Sequence, residues 1–202
     1  MNSRTYAAVM TGLSFVGLAA ILYLMSLKSN ERSTVSIETT IPVLGNLSEF
    51  NLTDQNAETF GLSDLEGKFW LADFIFTSCP GICKDMSANM SEIRKTFRDE
   101  PRVNFVSISV DPETDTPEVL SQYSKKYDGG DRWHFLTGDS AAIQALATND
   151  FKVGSGDDPL VHSPHFVLVD PEGRIRGYYN GTEPDEIDAI KADVRALLAE
   201  SL

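Results

Sequence analysis

The sequence predicts an α/β fold, in which a central sheet carries helices on both of its faces. Two apolar runs of strand length, at residues 69–76 and 103–110, are typical of buried central strands. Helical patterns alternate with such strands, so the predicted order of elements is βαβαβαββα. Hydrophobic residues make up 42% of the chain and charged residues 23%, which is the balance of an ordinary globular domain.

The first predicted element is an uncharged run at residues 6–27. As a helix with a rise of about 1.5 Å per residue, it would extend roughly 33 Å, which is enough to cross a bilayer. The run lacks a small-residue cleavage site, so we expect a single uncleaved transmembrane anchor rather than a signal peptide. Residues 1–27 are therefore assigned to the anchor, residues 28–40 to a polar linker, and residues 41–202 to the folded domain.

The folded domain is expected to begin with a small β-hairpin and to continue with a strand and a helix. Residues 50–53 and 59–60 flank turn-forming residues, as the two strands of a hairpin do. The apolar run at 69–76 predicts a buried strand, and a helix is expected after Cys83. The apolar stripe of that helix consists of Met86, Met90, Ile93 and Phe97.

The second half of the domain is expected to alternate strands and helices in the same way. Residues 103–110 predict another buried strand. Residues 115–118 indicate a helix start with a proline in the first turn. Asp111 and Asp115 could be acids that surround a site without binding its ligand, but turn and cap roles are preferred for them. The remaining predictions are a strand at 133–136, a helix at 141–147, a hairpin at 166–179 and a last helix capped by Thr182.

The charge of the chain limits its partners. The formal net charge is −13, and such a surface repels both nucleic acid and anionic lipid headgroups. We therefore expect no nucleic-acid partner. The charge suits a domain that meets cations or basic protein surfaces.

Cys79 and Cys83 are the only cysteines of the chain, and they lie where the strand at 69–76 is expected to lead into a helix. At positions i and i+4, both thiols face the same side of the first helical turn. The free backbone N–H groups of that turn favour thiolate, and Lys84 adds positive charge. Two adjacent thiolates can bind a soft metal ion or close a disulfide. The alternative is a pair of inert core cysteines, which the proline and glycine between them disfavour.

These motifs resemble the Sco/SenC family of membrane-anchored copper proteins, which assist assembly of the dinuclear copper centre of cytochrome c oxidase. The resemblance covers nearly the whole chain, and it is specific because several separated motifs occur in the same order. The matching motifs are F-x-L-T-D at 50–54, F-x-F-T-x-C-P-x-x-C at 74–83, S-V-D-P at 109–112, D-T-P at 115–117, F-L-T-G at 135–138 and H-S-x-x-x-x-L-V-D-P at 162–171. The chain departs from many relatives at Lys84, where they carry proline, and at Val161, where they carry an acid.

The resemblance implies a thioredoxin-like fold with an N-terminal β-hairpin extension, preceded by a single transmembrane helix. It implies that Cys79, Cys83 and His162 bind copper, as Cu(I) or Cu(II), and that the protein is a metallochaperone rather than an enzyme. The implied partners are the copper-bearing subunit of cytochrome c oxidase and other copper carriers or thiol reductants. The implied location is the bacterial inner membrane, with the C-terminal domain in the periplasm.

Other side chains near these motifs could contribute to a site. His134 is expected to be structural within its strand, and His165 to be a bystander or a fourth ligand. Met86 and Met90 could bind copper, but they lie on the apolar stripe of their helix, so core packing is favoured. Asp73 is an acid in an apolar strand, six residues before the first cysteine, as is the buried carboxylate of thioredoxins. A structural hydrogen bond and a role in thiol protonation are both open for it.

The thioredoxin resemblance leaves two alternative functions and one backbone prediction. A thiol–disulfide oxidoreductase is open, although the usual redox motif has two residues between its cysteines and this one has three. A peroxidase is disfavoured because no proline precedes Thr77, which lies two residues before Cys79 and not three. Pro164 occupies the position of the cis-proline of thioredoxin folds, which predicts a cis bond between Ser163 and Pro164.

Overall fold

The structure is a computed structural model that describes residues 41–153 and 163–201. Its strands are β1 Gly45–Asn46, β2 Asn51–Asp54, β3 Thr59–Gly61, β4 Phe69–Ile75, β5 Val103–Ser109, β6 Trp133–Thr137, β7 His165–Val169 and β8 Arg174–Asn180. Its helices are α1 Ile82–Thr96, α2 Pro117–Lys126, α3 Ser140–Ala145 and α4 Pro184–Glu200. Short 3-10 helices lie at Leu62–Leu65 and Gly130–Arg132, and α3 continues into a π-helical turn at Leu146–Asp150.

The described strands form one mixed sheet in the order β1-β8-β7-β4-β5-β6-β2-β3. The central strands β4, β5 and β6 are parallel, and the remaining pairs are antiparallel. The register between β4 and β5 runs from Phe69 opposite Val103 to Ile75 opposite Ser109. The carboxyl ends of these two strands therefore lie side by side, at the edge where α/β sheets place ligands.

The side chains of β4 alternate between the two faces of the sheet, and both faces are buried. The odd-numbered apolar residues from Phe69 to Ile75 pack against α1, α2 and α4. The even-numbered residues pack against α3 and the β2–β3 hairpin. This alternation places Asp73 on the face covered by α1, the helix that carries Cys83.

Arg132 fastens the end of the sheet that lies opposite the carboxyl ends of β4 and β5. Its guanidinium donates hydrogen bonds to four carbonyl oxygens, those of Glu100 at 2.6 Å, Val103 at 2.7 Å, Phe97 at 3.2 Å and Arg98 at 2.6 Å. Phe97 and Arg98 follow the last residue of α1, and Val103 is the first residue of β5, so this one cation holds the connection between α1 and β5.

The predicted element order is confirmed, and three local predictions are corrected. The hairpin at 51–61, the central strands and the helices all appear, and β2 extends the sheet by pairing with β6. The last helix is not capped by Thr182, because the Asn180 side chain accepts both the backbone N–H and the hydroxyl of that threonine, and α4 begins two residues later at Pro184. The third helix begins one residue earlier than predicted, since Asp139 caps it by accepting from Ala142 N–H at 2.9 Å.

The third correction concerns the backbone before β7. The bond between Ser163 and Pro164 is trans and not cis, which is the isomer that X–Pro bonds usually adopt. The carbonyl of Pro164 accepts a hydrogen bond from Gly181 N–H at 2.6 Å, so this segment is tied to the chain that follows β8.

The predicted anchor at 6–27 and linker at 28–40 lie outside the described residues. Across 41–153 and 163–201, the helices are too short or too polar to span a bilayer. The hairpin extension of the sheet belongs to the described part and is present as predicted.

Candidate metal centre

The two cysteines follow the carboxyl end of the central strand β4. A turn from Phe76 to Cys79 is closed by Cys79 N–H, which donates to the carbonyl of Phe76 at 3.2 Å. Gly81 then caps α1, so Cys83 lies in the first turn of that helix. Cys79 is 5% exposed and Cys83 is 4% exposed, and neither forms a disulfide. The sequence prediction of two thiols at a strand-to-helix junction is confirmed.

The surroundings of the two thiols drive their pKa values apart. Burial opposes ionisation of Cys79, but hydrogen bonding from the Cys83 thiol and from the backbone N–H groups of Cys83 and Gly81 outweighs it, with help from the charge of Lys84. The pKa of Cys79 is therefore lowered. Burial raises the pKa of Cys83, and its hydrogen bond to Cys79 and the negative charge of Asp73 raise it further. Cys79 is thus the thiol that ionises first, and it is the natural nucleophile or first metal ligand.

Asp73 is a fully buried carboxyl group, and it is close enough to Cys83 for its charge to act on that thiol. Ser107 donates its hydroxyl to Asp73 Oδ1 at 2.5 Å, and Trp133 Nε1 donates to the Ser107 oxygen at 2.9 Å. Oδ2 accepts no hydrogen bond from the described residues. Burial raises the pKa of Asp73 to about 7, against the smaller opposing effect of the Ser107 hydrogen bond. The predicted buried acid is confirmed, and its role in thiol protonation stays a prediction.

The structure gives Asp115 a contact with the cysteine loop in place of the preferred cap role. Thr116, and not Asp115, caps α2 by accepting from Val119 N–H at 3.4 Å. Asp115 is instead fully buried and accepts hydrogen bonds from Thr77 and Ser109. The cap role is therefore wrong for Asp115. The S-V-D-P motif begins at the last residue of β5, and D-T-P follows it in the same loop. Because β5 pairs with β4, the position of these motifs in the sequence indicates a contact with the loop that carries the cysteines.

Of the other histidines and methionines considered as ligands, three are structural and one stays a possible ligand. His134 stacks on Phe60 with ring centroids 4.1 Å apart, and burial lowers the pKa of His134, so the prediction of a structural histidine is confirmed. Met86 and Met90 are fully buried in the core, as favoured. His165 begins β7, with Nδ1 3.3 Å from the Ser163 hydroxyl oxygen, and its ligand role stays a prediction.

The third predicted ligand, His162, lies outside the described residues. Within 41–153 and 163–201, no group of three or more His, Cys, Asp or Glu side chains is arranged to hold a metal ion. Cys79, in the turn before α1, and Cys83, in the first turn of α1, are the described part of the donor set. Thiolates are soft ligands that suit Cu(I), so the chemistry of this pair fits copper.

Comparison with known proteins decides the family. The family model described as SCO1/SenC matches residues 44–199. The chain belongs to the SCO1/SenC family. It is 37% identical over 162 residues to the SCO1 protein homolog of Bacillus subtilis, covering 77% of this chain and 84% of the relative.

Two similar solved structures belong to proteins with a known disulfide switch or a bound copper ion. BsSco, a member of the Sco family of cytochrome c oxidase assembly proteins in which a disulfide switch has been identified, is 36% identical with a TM-score of 0.67. That match covers 77% of this chain and 95% of BsSco. Bradyrhizobium japonicum ScoI, solved with copper bound, is 30% identical with a TM-score of 0.60, covering 73% of this chain and 98% of ScoI. The α/β architecture described above is therefore that of the thioredoxin-like Sco structures.

Proposed function

We propose that this SCO1/SenC protein is a metallochaperone that binds copper through Cys79, Cys83 and His162. It delivers copper to the dinuclear copper centre of cytochrome c oxidase, or prepares that centre, during assembly. The observation that carries the proposal is a pair of free thiols at the junction of β4 and α1, one with a lowered pKa and one with a raised pKa. A relative of 30% identity holds copper in its solved structure, which supports copper as the cargo.

The proposed ligands suit both oxidation states of copper in different ways. Two thiolates are sufficient for Cu(I), which accepts low coordination numbers and soft ligands. Cu(II) needs a further donor, and the imidazole of His162 is the proposed one. Zinc would require a fourth ligand, so copper is the better match to this set.

The proposed setting is the bacterial inner membrane. The uncharged run at 6–27 supports a single membrane anchor, and the polar residues 28–40 support a linker to the domain at 41–202. Copper centres of the oxidase would be met on the periplasmic side, which is where the proposal places the C-terminal domain. The proposed partners are the copper-bearing oxidase subunit and other copper carriers or thiol reductants.

The asymmetry of the thiols also favours a second candidate function, reduction of a disulfide in a copper-site partner. The Cys79 thiolate would attack the partner disulfide, forming a mixed disulfide and releasing one partner thiolate. Cys83 would then lose its proton and displace the second partner thiolate, closing the Cys79–Cys83 disulfide. Two electrons pass to the partner, and the proton of Cys83 can pass to the carboxylate of Asp73.

Replacement of His162 separates the two candidates. In the full-length protein, His162→Ala is expected to weaken Cu(II) binding strongly and Cu(I) binding less, because the two thiolates alone satisfy Cu(I). It is also expected to abolish support of oxidase assembly in cells, while disulfide exchange at Cys79 and Cys83 survives. The measurements are copper titration followed by absorption spectroscopy, oxidase activity, and exchange with glutathione disulfide.

Two control variants give the expected upper and lower limits of copper binding in that experiment. His165→Ala keeps copper binding if His165 is the bystander that we expect, and Cys79→Ser removes both copper binding and disulfide exchange. Full Cu(II) affinity together with full oxidase activity in the His162→Ala strain would exclude the three-ligand site. The reductase would then be the better assignment.

A further inference from the structure

Asp115 is a buried carboxylate whose hydrogen bonds all come from two segments beside the thiols. It is fully buried and forms no ion pair with any described residue. Oδ2 accepts from the backbone N–H of Thr77 at 2.9 Å and from the Ser109 hydroxyl at 2.6 Å, and Oδ1 accepts from the Thr77 hydroxyl at 2.5 Å. We call Thr77, Ser109 and Asp115 the Asp115 cluster.

The Asp115 cluster connects two loops that follow neighbouring parallel strands. Thr77 comes directly after β4 and Phe76, whereas Ser109 is the last residue of β5. The hydroxyl of Ser109 also accepts a hydrogen bond from Asp111 N–H at 3.1 Å, and Asp115 N–H donates to the carbonyl of Asp111 at 2.9 Å. One carboxylate thus fixes both loops at the carboxyl edge of the sheet.

The loop after β4 is the one that faces both sulfur atoms. Thr77 occupies the second position of the turn that Cys79 N–H closes on the Phe76 carbonyl. The backbone of Phe76 contributes a hydrogen bond that favours the thiolate form of Cys83. The conformation of this single turn therefore sets the position of Cys79 and the donor that faces Cys83.

The chemistry of the Asp115 cluster is what this position requires. A backbone N–H and two hydroxyl groups are three donors, and a carboxylate is a pure acceptor with room for all three. A neutral amide at residue 115 would turn a donor toward one of them. A hydrogen bond to a charged acceptor is about twice as strong as a neutral one, so the carboxylate holds the turn more firmly than a neutral acceptor would.

We propose that Asp115 is a positioning residue for the two thiols, which acts through Thr77 to hold the Phe76–Cys79 turn in the geometry that brings both sulfur atoms to one site. The proposal deepens the proposed function, and its copper readout rests on that function. Its thiol readout does not, because formation of the Cys79–Cys83 disulfide depends on the same turn. Removing an outer partner of a metal ligand typically lowers metal affinity about 10–100-fold.

Thr77→Val is the main test variant, because Asp115→Ala would leave three buried donors unpaired and endanger folding. The valine keeps the shape and the backbone N–H, and it removes only the hydroxyl that donates to Asp115. Thr116→Val is the matched control, since it makes the same chemical change at the N-cap of α2, where the Thr116 hydroxyl accepts from Val119 N–H and forms no hydrogen bond with Thr77, Ser109 or Asp115. Asp115→Asn serves as a second variant on the carboxylate itself.

Two properties are measured on the full-length protein. The first is the equilibrium of the thiols with glutathione, in which Cys79 and Cys83 lose two electrons and two protons and glutathione disulfide becomes two thiols. The second is the rate at which bound copper is lost to a chelator, together with the absorption spectrum of the copper complex. Urea unfolding of each variant reports stability separately from both.

Thr77→Val is expected to change the thiol equilibrium about tenfold, which is about 30 mV for a two-electron couple. It is also expected to speed copper loss about tenfold and to alter the absorption spectrum. Thr116→Val should lower stability and leave both thiol and copper properties unchanged. Equal effects of Thr77→Val and Thr116→Val, or stability losses alone in Thr77→Val and Asp115→Asn, would overturn the positioning role.

The same experiment keeps the two proposals apart. If the unmodified protein binds no copper, the proposed function fails, and the glutathione equilibrium alone decides the role of Asp115. If the unmodified protein binds copper and the variants of the Asp115 cluster behave like Thr116→Val, the proposed function stands and the positioning role fails.

Discussion

Two buried carboxylates at opposite ends of β4 show two ways in which this fold treats an acid. Asp170 follows β7, beside the amino end of β4, and accepts from Arg174 Nε at 2.7 Å and from Arg176 Nη1 at 2.9 Å. Asp73 lies near the carboxyl end of β4 and, among the residues that the structure describes, accepts only from the neutral Ser107 hydroxyl. Each side chain is almost fully buried, so the difference lies in the partners.

The partners give the two acids opposite pKa shifts. Burial opposes ionisation of Asp170, but the backbone N–H and guanidinium of Arg174 and the guanidinium of Arg176 outweigh it and lower the pKa. Burial dominates at Asp73 and raises the pKa to about 7. A buried acid that is paired with cations contributes to stability. A buried acid without a cationic partner costs stability, and such acids are found at sites where a proton is transferred. The thiol end of the sheet is therefore the end that carries an energetic cost.

The largest expected effect is the loss of Asp170. Asp170→Ala leaves Arg176 buried without its carboxylate, and it should lower the free energy of unfolding by about 3–5 kcal/mol. Because the folded pKa of Asp170 is lowered, this contribution is present above its unfolded pKa and disappears as the pH falls through the folded value. Urea unfolding at neutral and acidic pH measures both statements.

Glu172→Ala is the matched control for Asp170, because Glu172 is exposed and pairs only with Arg174. Its cost should stay below about 1 kcal/mol. A cost for Asp170→Ala as small as that of Glu172→Ala would show that the buried arginine pair does not stabilise the fold.

A smaller effect of opposite sign is expected at Asp73. Its folded pKa of about 7 exceeds the unfolded value of 3.8, so the folded protein binds the extra proton between these values. The contribution of Asp73 to stability therefore falls as pH rises from about 4 to about 7, and its penalty is constant above that. Asp73→Asn cannot ionise, and it should gain up to about 4 kcal/mol over the unmodified protein at pH 8 relative to pH 4.

Asp99→Asn provides the reference for that pH series, since the Asp99 side chain is 91% exposed. Urea midpoints of the two variants and the unmodified protein, measured on reduced and metal-free protein, give the comparison. A flat difference between Asp73→Asn and the unmodified protein from pH 4 to pH 8 would mean that Asp73 does not hold a proton near neutrality.

The smallest expected effect is on the thiol beside Asp73. The negative charge of Asp73 is one of the causes that raise the pKa of Cys83, behind burial and the hydrogen bond to Cys79. Asp73→Asn should therefore lower the pKa of Cys83, by less than about one pH unit because a minor cause is removed. Alkylation rates followed against pH and located by mass spectrometry measure it. A larger shift at Cys79 than at Cys83 would contradict the position of Asp73 close to Cys83.

The fold was largely predictable because its central elements are long and strongly patterned. The apolar runs at 69–76 and 103–110 have the length and composition of buried strands, and the stripe of α1 follows the helical period. Strand β1 was not predictable, since Gly45 and Asn46 carry no apolar pattern and become a strand only by pairing with β8. The start of α4 was misjudged because the Asn180 side chain competes for Thr182.

The site was predictable where its residues are close in sequence. The spacing of Cys79 and Cys83 predicted two neighbouring thiols where the strand leads into the helix, and the structure confirms that junction. It places only Cys83 in the first turn of α1, however, because α1 begins at Ile82 and Cys79 lies in the turn before it. The contact of Asp115 with Thr77 was not predictable, because 38 residues separate them and only the register of β4 against β5 brings them together. The opposite pKa shifts of the thiols depend on which sulfur faces backbone N–H groups, which spacing alone does not encode.

The four carbonyl oxygens held by Arg132 have a consequence for how this domain opens. They tie α1 to β5 at the end of the sheet farthest from the thiols, so that end should separate only when the whole domain unfolds. The turn at 76–79 is joined to the rest by a few hydrogen bonds and is exposed at Ser78, so it can open locally at a lower free energy. A partner that draws the thiols outward therefore has to overcome only the free energy of this local opening. The global stability of the domain stays unchanged.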